Sequence, residues 1–348
     1  MGEVIPATGG APSALRSDTA PRDAIIIAVD GGGSKTDGVA LGLDGTVVAQ
    51  VRKPGSSPHM IDLAPSVRIV DELVSDLSAA AGNRPILQTN VYLSGLDLPV
   101  ELSAFAAASA DRPWARGVNG SPAVIDNDMF ALLRAGTKAP DAVAVVCGTG
   151  INCIGVRADG MHARFAALGV ISGDWGGGWF LGEQALWHAA RAVDGRGIPT
   201  SLATRVPAYL GLPDVASVIE AFHFGRLEQS VFPRLAPLVL EAADDGDSAA
   251  RAILERQAEE VVAMAVAALT RLELLRQPVP VVLGGGVLAT GNGCLTTGIE
   301  TRLAERAPLA HVELVRSRPI LGAALLALER VGASPAAFST AEAALRVS

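Results

Sequence analysis

The chain has 348 residues, of which 49% are hydrophobic and 18% charged, with a formal net charge of -8 and a pI near 5.2. That length and apolar share bury one large core or two ordinary ones, and two domains are expected. The acidic balance excludes a nucleic-acid partner, because no Lys/Arg cluster supplies the counterion release that drives such binding, and it favours a small-molecule partner.

Residues 1–23 mix Pro, Gly, Ala, Ser and Thr without periodicity and read as a disordered N-terminal tail outside the fold. Ala24–Val29 is a short Ile-rich apolar run, broken by Asp30-Gly31-Gly32-Gly33 and followed by Gly38–Leu43 and Thr46–Val51, which Asp44-Gly45 joins. These runs predict a three-stranded antiparallel meander whose Asp-Gly turn needs positive φ. Between Ala64 and Ala81, Val67, Val70, Leu73, Val74 and Leu77 recur at helical spacing, and Asn90–Leu93 and Ala123–Ile125 read as buried strands. From Ala142 the syntax returns: a strand Ala142–Cys147, a turn Gly148-Thr149-Gly150, a strand Asn152–Arg157 and a turn at Asp159-Gly160. Two strand–turn–strand units in one chain suggest a duplicated domain with a cleft between the copies, where a small-molecule site lies.

The remainder reads as mostly helical, over Trp179–Val193, Val215–Phe222, Ser230–Ala243 and Ser248–Leu275. One apolar strand, Val279–Leu283, runs straight into Gly284-Gly285-Gly286, and a last helix over Pro319–Val331 opens with Pro in its first turn. The longest apolar stretches, Val261–Leu269 and Leu321–Leu328, fall short of the ~18–20 residues a bilayer-spanning helix requires. No basic region followed by an apolar run marks a secretory signal, so a cytoplasmic protein is expected. Cys147, Cys153 and Cys294 are odd in number and lack CxxC spacing; they read as small buried hydrophobes rather than a disulfide, zinc or iron–sulfur framework.

The segment Asp30-Gly31-Gly32-Gly33-Ser34-Lys35-Thr36 is neither a Walker A loop nor a GxGxxG helix entry, since the spacing and the following helix are missing. Its glycines let backbone N–H groups approach phosphate oxygens, Ser34, Lys35 and Thr36 add donors, and the carboxylate of Asp30 can hold Mg2+ through water. An ordinary glycine hairpin is the alternative for this motif alone.

Asp30–Thr36, Gly148-Thr149-Gly150-Ile151-Asn152 and Val282-Leu283-Gly284-Gly285-Gly286-Val287 stand in the order of the phosphate-1, phosphate-2 and adenosine motifs of the actin/hexokinase/Hsp70 superfamily. More narrowly, the chain resembles the N-acetylglucosamine kinase and BadF/BadG-type ATPase family over nearly its whole length after residue 24. The resemblance implies an α/β protein with two ribonuclease-H-like (actin-like ATPase) domains around a nucleotide cleft: residues 24–137 with 318–348 as the smaller, 138–317 as the larger. It implies ATP and Mg2+ as cofactors, a sugar-like substrate and, as a superfamily habit, a homodimer. The family's catalytic base matches Asp128 in Ile125-Asp126-Asn127-Asp128, with Asp126 as rival and an N-cap of the following helix as the structural alternative.

The family's glycine-rich substrate loop matches Gly169–Gly178, so Gly173 and Asp174 are expected at the sugar, together with Asn152. The chain departs from the amino-sugar kinases at Ser56-Ser57-Pro58-His59-Met60, at Leu168 where Trp is usual and at Trp175 where Glu follows the aspartate. His59 is a candidate substrate contact, whereas His162, His188, His223 and His311 lack metal-ligand spacing. Activator ATPases of the superfamily use paired cysteines for an iron–sulfur cluster, a pairing these three cysteines do not offer. A non-catalytic sugar sensor is the remaining alternative, against which Asp30, Thr149 and Asp128 argue.

Overall fold

In the computed structural model, which describes residues 4–6, 21 and 23–346, the chain forms two β-sheets with helices packed against them. Val4–Pro6 form β1, followed by β2 (Ile25–Gly31), β3 (Lys35–Gly42) and β4 (Val47–Pro54), which pair antiparallel as the predicted meander. Next come α1 (Pro58–Ile61), α2 (Leu63–Ala80), β5 (Ile86–Leu93), α3 (Pro99–Ser109), β6 (Val124–Asn127) and α4 (Met129–Gly136). β5 pairs parallel with β2 and β6 parallel with β5, giving the first sheet the order β4-β3-β2-β5-β6.

The second half contains β7 (Ala142–Cys147), β8 (Ile151–Val156), β9 (Met161–Arg164), α5 (Gly177–Val193), α6 (Leu202–Leu210), α7 (Val215–His223), α8 (Phe232–Asp244) and α9 (Ser248–Arg271). It continues through β10 (Pro280–Gly284), α10 (Gly293–Arg306), β11 (His311–Leu314), α11 (Pro319–Arg330) and α12 (Pro335–Leu345). The second sheet has the order β1-β9-β8-β7-β10-β11, with β7, β10 and β11 parallel. The helix expected to be the last, α11, is thus followed by α12.

Three residues of the expected disordered tail correct that expectation: Val4–Pro6 pair antiparallel with Met161–Ala163 of β9 and cover an otherwise open sheet edge. Residues 1–3, 7–20 and 22 lie outside the described residues. Cys147 and Cys153 are buried as expected, but Cys294 is exposed at the start of α10. Among the described residues no helix is long and apolar enough to cross a membrane.

Side-chain alternation explains why β2 reads as one unbroken apolar run. Ile25, Ile27 and Val29 pack with Val67, Val70, Leu73 and Leu77 of α2, while Ile26 and Ala28 pack with α11 on the opposite face. α4 lies between the sheets: Met129, Leu132 and Leu133 pack on Ala142, Ala144, Ile154 and Val282 of the second sheet. On its other side α11 approaches backbone to backbone, for a Cβ at Gly322 would stand 1.8 Å from the carbonyl oxygen of Ala131. The residue just before α4 is therefore held by both halves of the molecule.

Candidate active site

The first glycine turn closes β2 onto β3, with Asp30 opposite Asp37, Gly31 opposite Thr36 and Gly32 N donating to Lys35 O at 2.9 Å. Gly31 is buried where a Cβ would meet Ser56 Oγ at 2.3 Å, so only glycine fits there. Gly33, Ser34 and Lys35 stand exposed at the tip and Gly32 is half-buried, a placement suited to phosphate. Thr36 corrects its expectation. It is fully buried, and its Oγ1 bonds Pro54 O and Ser56 Oγ, each at 2.8 Å, so it braces the turn from beneath instead of presenting a donor.

The other two turns lie side by side. β7 and β10 pair parallel with Val146 opposite Gly284, and Val287 N donates to Cys147 O at 2.9 Å. Gly285 crosses over that carbonyl at φ 88°, where a Cβ would lie 2.4 Å from Cys147 O. Gly178 N and Trp179 N donate to Gly148 O and Thr149 O, both at 2.8 Å, so the first turn of α5 clamps the Gly148-Thr149-Gly150 turn. A Cβ on Gly148, Gly150 or Gly286 would meet nothing within 4 Å, which leaves open space on the side a nucleotide would occupy.

An acidic centre gathers at the start of α4. Asp128 N donates to Leu93 O at 3.2 Å, and although Asp128 occupies the N-cap position its side chain makes no capping hydrogen bond. Asn127 Oδ1 takes that duty, accepting from Met129 N at 3.0 Å. Asp126 is already neutralised: its Oδ1 accepts from Arg164 Nη2 at 2.8 Å and from Asn127 N at 2.8 Å. Burial, then the charges of Asp30 and Asp97, push the Asp128 carboxyl well above the usual carboxylate range. Asp30 is raised to about 7 by burial and by Asp37, with Lys35 and Arg318 opposing. Asp37 itself is held low by hydrogen bonds from Arg52 (2.6 Å) and Arg318 (2.8 Å), although burial acts the other way.

Asp97, between β5 and α3, completes the centre. Its Oδ1 accepts from Asn127 Nδ2 at 3.0 Å and from Asn152 Nδ2 at 2.8 Å, and burial raises its carboxyl to about 6. His59 Nε2 lies 2.6 Å from Glu101 Oε1, and Glu101 Oε2 accepts from Asp97 N and Leu98 N. His59, Asp97 and Glu101 bring ligand atoms within 4.8 Å of one another, but these hydrogen bonds already engage them.

Asn127 and Asn152 thus meet at Asp97, with His59 and Asp128 beside it and Asp30 beside Asp128. Gly173, exposed at φ 83°, and Asp174 belong to a separate loop, in which Ser172 Oγ donates to the buried Asp174 carboxylate and Asp174 N donates to Gly169 O at 3.0 Å. Trp175 is buried, with the Arg256 guanidinium 4.1 Å from its ring centroid, so the family's Glu position is filled by a packed ring. Asp97, Asn127, Glu101 and Arg164 were not among the sequence candidates. The signal for Asp97 was its place in the Ser94-Gly95-Leu96-Asp97 turn directly after a buried strand.

Comparison with known proteins finds relatives that match most of the chain. The chain is 28% identical over 316 residues to the N-acetyl-D-glucosamine kinase of Dictyostelium discoideum, covering 87% of this chain and 98% of the relative. It is 26% identical over 269 residues to the N-acetylmuramic acid/N-acetylglucosamine kinase of Clostridium acetobutylicum, covering 77% and 86%. A solved protein of Chromobacterium violaceum assigned as an N-acetylglucosamine kinase superposes with a TM-score of 0.67 at 26% identity, covering 88% of this chain and all of that one. The architecture is that of an actin-like ATPase. A profile described as the BadF/BadG/BcrA/BcrD ATPase family matches residues 27–327, and the chain belongs to that ATP-using family.

Proposed function

We propose that the chain is a kinase that moves the γ-phosphoryl group of ATP onto a hydroxyl of a small amino sugar, with N-acetylglucosamine or glucosamine as first choice. The names of its relatives support the substrate class. One observation carries the mechanism: among the described residues the Asp128 side chain makes no capping hydrogen bond and no ion pair, because Asn127 accepts from Met129 N and Arg164 pairs with Asp126. Its carboxylate is then available to accept the proton of the sugar hydroxyl as that oxygen bonds the γ-phosphorus and the bond to ADP breaks. We read residues 24–137 with 318–348 and residues 138–317 as the two lobes, and Asn152, Gly173, Asp174 and His59 as the sugar's surroundings. Gly32–Lys35 and Gly148–Gly150 hold phosphate, Gly284–Gly286 the adenosine, and the protein works in the cytoplasm. Coupled ADP release measured with amino sugars, other hexoses and cyclitols tests the reading; ADP release that no sugar stimulates would reject it.

Mg2+ fits this donor set, since two carboxyls with raised affinity for protons, Asp30 and Asp128, face each other where a cation would relieve their repulsion. Asp30 would hold it through water, and the ion would supply charge neutralisation at the phosphates. Because the folded carboxyl of Asp30 releases its proton at about 7 rather than 3.8, the unfolded chain ionises first and the contribution of this group to stability declines as pH rises through that window. A cation favours the ionised form and offsets the decline. Mg2+ should therefore raise the thermal midpoint more at about pH 8 than at about pH 5.5, and Asp30→Asn should abolish the difference. Equal Mg2+ shifts at both pH values would remove Asp30 from the ion's site.

A further inference from the structure

Asp97 is fixed before its side chain does anything. Glu101 Oε2 accepts its N–H at 2.9 Å and that of Leu98 at 2.8 Å at the N-terminus of α3, and the residue is only 9% exposed. From that anchored position one oxygen, Oδ1, accepts amide donors rooted in the two different sheets: Asn127 at the end of β6 and Asn152 on β8, at 3.0 and 2.8 Å. Each amide is pinned again at its other end, Asn127 Oδ1 by Met129 N at 3.0 Å and Asn152 Oδ1 by Cys153 N at 2.7 Å. An amide whose NH2 group faces a carboxylate cannot exchange its two ends without losing a charge-assisted hydrogen bond.

The effect reaches Asp128 through the helix. The first N–H groups of α4 need an acceptor, and aspartate at the N-cap position is an ordinary one. Here Asn127 supplies the acceptor, and it does so because Asp97 holds the Asn127 NH2 group away from Met129 N.

We infer that Asp97 is a positioning residue: it makes Asn127 the cap of α4, so that Asp128 stays free for the substrate hydroxyl, and it sets the Asn152 amide across the boundary between the sheets. The inference rests on Asp128 being the base. Loss of the Asp97 carboxylate leaves the buried Asn127 amide and the half-buried Asn152 amide without their acceptor and lets Asn127 turn, which leaves Met129 N to the Asp128 side chain alone.

Steady-state kinetics of Asp97→Ala, Asp97→Asn and Asp128→Asn, each with ATP and sugar varied separately, test it. Asp97→Ala should lower kcat by about 10–100-fold, as small misplacements of catalytic groups do, and raise the sugar KM several-fold while the ATP KM stays within about twofold. Asp97→Asn keeps a carbonyl that can accept both amides, so it should recover about tenfold of that loss. In an Asn152→Ala background, Asp97→Ala should add little to the sugar KM, since the shared contact is already gone. A kcat for Asp97→Ala within about twofold of the parent, or independent KM effects in the double variant, overturns the inference. Should Asp97→Ala fail to fold, Asp97→Asn decides, and turnover as low as that of Asp128→Asn with ATP binding intact counts against positioning. The Asp128→Asn arm separates the two readings. Retained turnover there overturns the base and leaves the Asn152 coupling as the measure of Asp97; loss there beside an unaffected Asp97→Ala overturns the positioning role alone.

Discussion

Asp128→Asn is expected to bind ATP as the parent does and to turn over about 10²–10⁴-fold more slowly, the range that a positioned general base contributes. The amide keeps the size of the side chain and removes only the proton acceptor, so folding and nucleotide affinity should survive. The contrast with Asp126→Asn makes the result specific. Asp126 is tied to Arg164 at 2.8 Å, so its replacement loosens an ion pair between β6 and β9 without touching the free carboxylate. A larger kcat loss from Asp126→Asn than from Asp128→Asn would reverse the assignment. Equilibrium ATP binding measured beside kcat distinguishes a chemical defect from a folding one.

Gly285→Ala should damage the nucleotide side severely. The residue sits at φ 88°, a region costly for any side chain, and its new Cβ would lie 2.4 Å from Cys147 O and 2.5 Å from Cys147 C. Neither atom can retreat, because the same carbonyl accepts from Val287 N and its strand is locked in register with β10. Backbone strain of this kind is worth about 1–3 kcal/mol, and relieving it displaces the Gly148 turn, so a rise of the ATP KM on the order of tenfold or more is expected alongside lower urea resistance. Gly286→Ala is the control: its Cβ meets open space, so stability should hold. A Gly285→Ala protein with parental ATP KM and urea midpoint would show that the two turns do not act as one nucleotide support.

The sequence was most legible where the physics is local. β2 and β7 are buried on both faces and show as continuous apolar runs, and glycine turns after them announce themselves by composition. β9 and β11, with sequences MHAR and HVEL, are four residues long and only partly buried, so no apolar run betrays them. The bounds of α3 are hidden for a related reason, since only Phe105 and Ser109 of its eleven residues are buried and no apolar stripe forms. Within the site, Asp30 and Asp128 could be named from motif order, but Asp97 could not, because its partners Asn127 and Asn152 lie 30 and 55 positions away. The choice between Asp126 and Asp128 likewise depends on Arg164, 38 positions from Asp126. Thr36 was misjudged because its burial comes from Ser56, 20 positions on, which folds under the turn.

The contact between Gly322 and Ala131 has a bearing on how the protein is made. α11 is translated long after β2 and α4, yet it covers one face of β2 and braces the helix that follows Asp128. A nascent polypeptide still missing that segment exposes Ile26 and Ala28 and leaves Asp128 on an unsupported helix. A chain in which α11 has not yet packed should therefore not support phosphoryl transfer.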